Sequence, residues 1–176
     1  MSARQELLVD RIETAIGELI LVADREGSLR AVDWLDYEPR MLRLLQRQFG
    51  KGGFVLKPSK NPNGLSDKLR RYFAGEVTAI DDLPVAAVGT TFQREVWRAL
   101  RSIPVGTTCS YGELAQRIGR PRAVRAVGTA NGSNPVGIVV PCHRVIGSDG
   151  SLTGYGGGME RKRWLLDHEN ERNRLG

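Results

Sequence analysis

The chain has little of what usually carries chemistry. Its 176 residues include only two cysteines, two histidines and three tryptophans. Two cysteines make no disulfide framework, and free thiols fit a reducing cytosol better than an oxidising compartment. Cys109 and Cys142 lie 33 positions apart with one histidine beside the second, a spacing that matches no standard zinc site. No metal is therefore expected. No apolar run is long enough to cross a bilayer, so no membrane association is expected either. The first residues, Met1-Ser2-Ala3-Arg4-Gln5-Glu6, lack the basic-then-apolar order of a signal peptide. These absences leave a cytoplasmic protein as the expectation.

What is present is ordinary in amount and uneven in placement. Hydrophobic residues make up 40% of the chain and charged residues 26%, as in a globular protein with a substantial core. The length suits one large domain or two small ones. The net charge is +6. Residues 1–85 hold 13 Lys+Arg against 13 Asp+Glu, and residues 86–176 hold 13 against 7, so the whole excess lies in the second half. All but one of those 13 basic residues are arginine, whose planar fork suits phosphates and base edges. The pattern points to a polyanion, nucleic acid foremost, as the partner of the second half. A solvated basic face with no partner is the plain alternative.

The first half reads as a scaffold. Residues 7–13, 18–25 and 29–35 are short apolar-rich runs joined by tight turns, which predicts an antiparallel meander. Pro39 opens a helix with Met41, Leu42, Leu45 and Phe49 on one face, and Gly50 stops it. Residues 52–57 read as a further strand. Leu65, Leu69, Tyr72 and Phe73 define a second helix with Gly75 as its C-cap. Nothing in residues 1–80 looks catalytic. Residues 78–89, with Pro84 and small side chains, read as a linker. The division expected is 1–85 as an N-terminal α/β domain with its linker and 86–176 as a C-terminal domain.

The second half reads as mostly helical. Thr90 and Gln93 fit a capping box before a helix carrying Phe92, Val96, Ala99, Leu100 and Ile103. Ser110 and Glu113 fit another, before a short helix that Gly119 ends. Pro121 sits where the first turn of the next helix belongs, and the apolar positions of that helix are Ala123, Val124, Val127 and Ala130. Two short helices joined through a glycine resemble a helix-turn-helix. Arg122, Arg125 and Thr129 share the outer face of its second helix, with the small residues Ala126 and Gly128 beside them. That face suits a nucleic-acid groove; a plain helical hairpin with a charged face is the alternative. Asn131-Gly132-Ser133-Asn134-Pro135 then turns the chain into an apolar strand, Ile138-Val139-Val140. That strand leads to Pro141-Cys142-His143-Arg144-Val145. Beyond a turn at residues 147–150 lies Gly154-Tyr155-Gly156-Gly157-Gly158, whose glycines expose backbone and admit a planar ligand. A last helix carries Trp164 and Leu165, reaches His168 and Glu169, and then frays.

A lone cysteine is usually a small buried hydrophobe. An adjacent imidazole changes that weighting, because it favours the thiolate directly or through a water. A carboxylate on the other ring nitrogen would orient the histidine. Glu169 and Asp149 are the acidic candidates, and spacing does not choose between them.

These residues together carry a resemblance. Pro141-Cys142-His143-Arg144-Val145, preceded by Asn134-Pro135 and Arg125-Ala126-Val127-Gly128, resembles the O6-alkylguanine-DNA alkyltransferases, proteins of direct-reversal DNA repair. Ser110-Tyr111, Tyr155-Gly156-Gly157-Gly158 and Trp164-Leu165-Leu166 also match. In the first half, Ala31-Val32-Asp33-Trp34 and residues 65–75 match more weakly. The non-inducible bacterial type is the nearest in pattern, since the inducible type carries a further zinc-bound cysteine domain. The resemblance implies an α/β N-terminal domain of ribonuclease-H-like shape, with an antiparallel sheet plus helices. A mostly α C-terminal domain with a helix-turn-helix would follow.

The resemblance also implies roles. Cys142 would accept the alkyl group, His143 would act through a water as its base, and Glu169 would orient His143. Tyr111 would donate a proton toward the departing guanine. Arg125 would fill the gap left by the flipped base, with Arg122, Thr129 and Ala126 on the same DNA-facing element, set into the minor groove. Asn134 would brace the acceptor turn. Val145, Tyr155, Gly156 and Gly157 would line the base pocket, with Gly156 making it roomier. The reaction implied moves an alkyl group from O6 of guanine, and O4 of thymine, in double-stranded DNA to Cys142 after base flipping. The thioether product resists hydrolysis, so one turnover per molecule is expected, by a monomer and with no cofactor. The competing readings are a lesion-binding protein without chemistry, a helix-turn-helix transcription factor with an incidental thiol, and a thiol hydrolase.

Overall fold

The structure is a computed structural model; it describes residues 4–175, with side chains as far as Asn170. The chain forms two compact units, residues 1–88 and 89–176. The first is built on a four-stranded sheet: β1 (Gln5–Thr14), β2 (Gly17–Ala23), β3 (Leu29–Trp34) and β4 (Phe54–Pro58), in the order β3-β2-β1-β4. The first three strands form the expected antiparallel meander, with Ile12 opposite Leu19 and Leu21 opposite Val32. The fourth differs from an all-antiparallel expectation, because it runs parallel to β1 with Leu7 opposite Leu56. The physical reason is α1 (Glu38–Phe49), which carries the chain from one sheet edge to the other as a crossover.

Strand β2 does not simply alternate. Leu19, Ile20, Leu21, Val22 and Ala23 are all buried, the pattern of a strand covered on both faces. One face, with Leu7, Ile20, Val22 and Ala31, packs against Met41 and Leu45 of α1. Helix α2 (Leu65–Phe73) packs against β1 and buries Leu65, Leu69 and Tyr72. Its Phe73 meets the Trp34 ring edge-on at 6.4 Å. Residues 78–89 are more than a linker. Ile80 and Leu83 are buried, and the free edge of β3 is capped by Leu29 N donating to Pro84 O (2.8 Å) and Ala86 N donating to Leu29 O (3.0 Å). An open sheet edge exposes unpaired backbone groups, and this segment satisfies part of it.

The second unit holds α3 (Thr91–Arg101), β5 (Cys109–Ser110), α4 (Tyr111–Arg117), α5 (Val124–Gly132), β6 (Val145–Ile146) and α6 (Met159–Leu175). Both capping boxes form: Gln93 N donates to Thr90 Oγ1 (3.1 Å) and Glu113 N to Ser110 Oγ (3.0 Å). Gly119, at φ 75°, ends α4. Helix α5 begins three residues after Pro121. Ala123 N donates to Arg120 O at 2.9 Å, which makes Arg120-Pro121-Arg122-Ala123 a turn with proline at its favoured second position. Arg122 therefore lies in the turn and not on the helix face with Arg125 and Thr129. Val124 is 40% exposed and lies outside the core.

The strand expected at Ile138-Val139-Val140 is also absent. Val139 N donates to Gly137 O (2.7 Å) and Cys142 N to Val140 O (2.8 Å), two successive three-residue turns centred on Ile138 and Pro141. Helix α6 runs to Leu175, beyond Glu169 and through the stretch expected to fray; side chains from residue 171 on lie outside the described residues. Among the described residues no helix is long and apolar enough to cross a membrane.

Core packing in the first unit sets its stability. Replacement of the fully buried Leu45 by alanine should lower the unfolding free energy by about 2–5 kcal/mol. Val124→Ala should stay within about 0.5 kcal/mol. Urea titrations of the two variants against the parent chain measure both.

Candidate active site

The turn that carries Cys142 contacts two helices, α3 and α6. Cys142 opens a 3-10 turn, Cys142–Arg144, which runs directly into β6. Its side chain is half-buried, whereas His143 and Arg144 are buried. Helix α6 delivers Lys162, Leu165 and Glu169 from one buried face. The spacings of three and four residues place them on one stripe.

Glu169 is the junction. Its Oε2 lies 2.8 Å from His143 Nε2, while Arg144 Nε donates to Oε1 at 2.8 Å and Nη2 to Oε2 at 3.0 Å. Burial alone would raise the carboxyl pKa. The His143 imidazole and then the Arg144 guanidinium outweigh that and hold it well below the usual carboxylate range. An ionised Glu169 can only accept hydrogen bonds, so His143 Nε2 carries the proton between them. In the neutral ring Nδ1 is then the basic nitrogen. That atom is buried and makes no hydrogen bond to any described residue. Asp149, the other acidic candidate, is exposed and bonded to Ser151. The choice that spacing left open thus falls to Glu169. His168 stands apart and stacks on Trp164 at 4.6 Å.

The other expected residues fall around this centre or on α5. Asn134 Nδ2 donates to Val140 O (2.9 Å), and its Oδ1 accepts from Val136 N (3.0 Å), so one side chain ties both ends of the turn that precedes Cys142. Val145 is buried on β6. The Tyr155 ring meets His143 edge-on at 6.5 Å. Gly156 is exposed, and Gly157 is buried with its carbonyl accepting from Arg161 Nη1 at 3.2 Å. Tyr111, the first residue of α4, lies over Gly128 of α5 at the distance where a β-carbon would just touch it, 3.8 Å. Arg125, Ala126 and Thr129 form an exposed face of α5, and Thr129 Oγ1 bonds back to Arg125 O (3.2 Å). Cys109 is buried opposite Val145, and burial pushes its thiol pKa up, which marks it as inert. Among the described residues no three His, Cys, Asp or Glu side chains cluster to hold a metal.

Three further residues belong to the site. Arg144 also donates through Nη1 to Ile103 O (2.8 Å) and so ties the motif to the end of α3. Asn131 is buried in the last turn of α5, with Nδ2 at 3.5 Å from Cys142 O. Lys162 is fully buried and donates to Val145 O (2.6 Å) and Thr153 O (2.7 Å). Burial pushes its pKa down to about 8, against a smaller opposing pull from the Cys142 sulfur. One signal could have found it: Lys162 is the single lysine among the 13 basic residues of the second half.

Comparison with known proteins finds matches in both units. Residues 91–171 match the DNA binding domain of 6-O-methylguanine DNA methyltransferase, and residues 8–87 match its ribonuclease-like domain. The chain belongs to this methyltransferase family. A methylated-DNA–protein-cysteine methyltransferase of Shigella flexneri is 56% identical over 163 residues, which cover 93% of this chain and 95% of that one. One from Mycobacterium tuberculosis is 58% identical over 132 residues, 74% of this chain and 79% of that one. Among solved structures, Mycobacterium tuberculosis OGT in complex with DNA superposes with a TM-score of 0.78 at 44% identity, covering 95% of this chain and 94% of that one. Both domains of the family are thus present here, in the family's order.

The geometry makes the loss of the Glu169 carboxylate costly. In Glu169→Gln the Arg144 guanidinium stays buried without its anion, and stability should fall by about 3–5 kcal/mol. Because the native carboxyl titrates below its usual value of 4.5, its contribution is complete above that pH and fades as pH falls below it. Urea titrations of both proteins should therefore show a wide gap near neutrality that narrows on acidification.

Proposed function

We propose that this protein repairs alkylated DNA by direct reversal, moving an alkyl group from O6 of guanine to Sγ of Cys142. The observation that carries the reading is the order Cys142, His143, Glu169: a half-buried thiol, a buried imidazole with one ring nitrogen that bonds no described residue, and an ionised carboxylate on the other. Membership of the methyltransferase family supports it.

The roles follow from that order. His143 Nδ1 takes the thiol proton, through a water. The Cys142 thiolate attacks the alkyl carbon; the S–C bond forms as the C–O6 bond breaks. Guanine departs as an anion, and Tyr111 supplies the proton that neutralises it. The protons on His143 and Tyr111 re-equilibrate with solvent, so the net change moves one proton from thiol to guanine. A thioether on Cys142 offers water no easy leaving group, so each molecule acts once.

Delivery of the base falls to α5. Arg125 enters the stack in place of the extruded nucleotide, and Ala126 and Thr129 keep the helix surface low beside it. Arg122, in the turn, serves as a phosphate contact. Asn134 holds the acceptor turn, while Val145, Tyr155, Gly156 and Gly157 line the pocket. Residues 86–176 carry DNA binding and chemistry, and residues 1–85 act as a scaffold. The protein works as a monomer in the cytoplasm on double-stranded DNA, with O4-alkylthymine as a second substrate.

Intact mass after incubation with an oligonucleotide containing O6-methylguanine should show one added methyl group on Cys142, saturating at one equivalent. Repeated turnover, or methylation retained in Cys142→Ser, would overturn the reading. Arg125→Ala should slow repair within a duplex much more than reaction with the free base O6-benzylguanine. Equal losses on the two substrates would remove Arg125 from base extrusion.

A further inference from the structure

The arginines of the second unit are not all on or beside α5. Arg98 in the last turn of α3, Arg117 in the last turn of α4 and Arg120 in the following turn line one open cleft of about 520 Å3, with Glu95, Ser102 and Ile118. All three arginines are exposed. Glu95 is the one carboxylate in the lining, and Arg120 engages it at 3.5 Å while lying over the Phe92 ring at 5.7 Å. Arg98 and Arg117 have no carboxylate partner among the described residues. Three guanidiniums against one glutamate leave the cleft with two uncompensated positive charges.

We propose that this cleft is a second phosphate site, which grips a phosphodiester of the bound DNA strand away from the α5 face; the proposal rests on the DNA-repair function proposed for the acceptor site. The ligand class follows from the donors. Arginine forks match phosphate oxygens in pairs, and a strand of phosphates can meet Arg98 and Arg117 together.

A small free anion suits the cleft poorly. Both contributing helices end here, so their carbonyl ends bring partial negative charge and offer no cluster of backbone N–H groups. The opening is also too wide to strip water from one ion. A charged strand crossing it needs neither feature, because it gains from charge neutralisation and counterion release. The first helix of a helix-turn-helix commonly crosses the DNA backbone, and Arg117 and Arg120 flank the end of that helix. The structural alternative is that Arg98 and Arg117 only complement their helix dipoles.

The test measures binding to an undamaged duplex across a salt series, for the parent protein, Arg98→Ala/Arg117→Ala and Arg98→Lys/Arg117→Lys. The double alanine variant should bind more weakly. Its slope of log affinity against log salt should fall by about 0.9 for each phosphate that the protein no longer neutralises. The double lysine variant should recover most of the slope. Parent-like affinity and slope in the alanine variant would overturn the proposal and leave the dipole role. Inorganic phosphate that displaces the duplex from the parent but not from the alanine variant, at matched ionic strength, would overturn the strand assignment in favour of a free-anion site. A parent protein with no salt-dependent duplex binding would instead overturn the DNA-repair function itself. Unfolding midpoints of the variants check that exposed substitutions have left the fold intact.

Discussion

One buried carboxylate holds the second unit's chemistry in place. Glu169 takes three hydrogen bonds, from His143 and from two nitrogens of Arg144, and Arg144 reaches on to the carbonyl of Ile103. Three separate segments, the end of α3, the acceptor turn and α6, therefore meet through a single ionised group. Charges cannot be buried cheaply, and such an arrangement persists because both carboxylate oxygens and the Arg144 guanidinium find partners. That requirement gives it directionality. An apolar contact could hold α6 near the turn, but it could not decide which imidazole nitrogen carries the proton. Glu169 decides this, and leaves Nδ1 as the basic atom.

The turn that presents Cys142 is held against its own preferences. Ile138 is β-branched and sits at φ 69°, a conformation that costs such a residue roughly 1–3 kcal/mol. Pro141 follows at φ −82° and ψ 65°, with Cys142 N bonded to Val140 O. Two tight turns in the six residues from Gly137 to Cys142 leave no ladder of hydrogen bonds to steady the backbone. Asn134 replaces that ladder with two bonds from one side chain, each worth about 0.5–1.5 kcal/mol. The α5 helix ends at Gly132, two residues before Asn134. The element proposed to meet DNA and the turn proposed to accept the alkyl group are thus joined by a clamp rather than a flexible loop.

Much of this was legible in the residues, and the failures have physical causes. Helices with caps were readable, because Thr90, Gln93, Ser110 and Glu113 announce their own hydrogen bonds. The meander was readable from tight turns between apolar runs. The direction of β4 was not, since a strand's own residues do not state which edge it joins. Pro121 fits either a helix start or a turn, and only the Arg120–Ala123 hydrogen bond decides. Ile138-Val139-Val140 has strand composition and turn geometry because tertiary restraint from Asn134 overrides propensity. At the site, Cys142, His143 and Glu169 were legible through the family motif, and Arg144 stands in that motif without a role of its own. Lys162 was hidden among Arg161 and Arg163, where a charge run reads as a solvated face.

Lys162 completes an electrostatic argument that no single contact makes. The buried cluster contains Arg144 and Lys162 as cations and Glu169 as an anion, with His143 between them. With a neutral His143 and a neutral thiol at Cys142 the cluster carries one surplus positive charge, and it is balanced once the thiol proton has passed through His143 to solvent and left a thiolate. The low dielectric that makes a surplus charge expensive makes the balanced state correspondingly favourable. The same logic explains why Lys162 sits at about 8 and not lower: burial drives it down and the Cys142 sulfur resists. Alkylation removes the sulfur's negative charge for good and returns the cluster to its surplus. The half-buried thiol is therefore set in surroundings that favour its reactive form and not its product, which suits an acceptor used once.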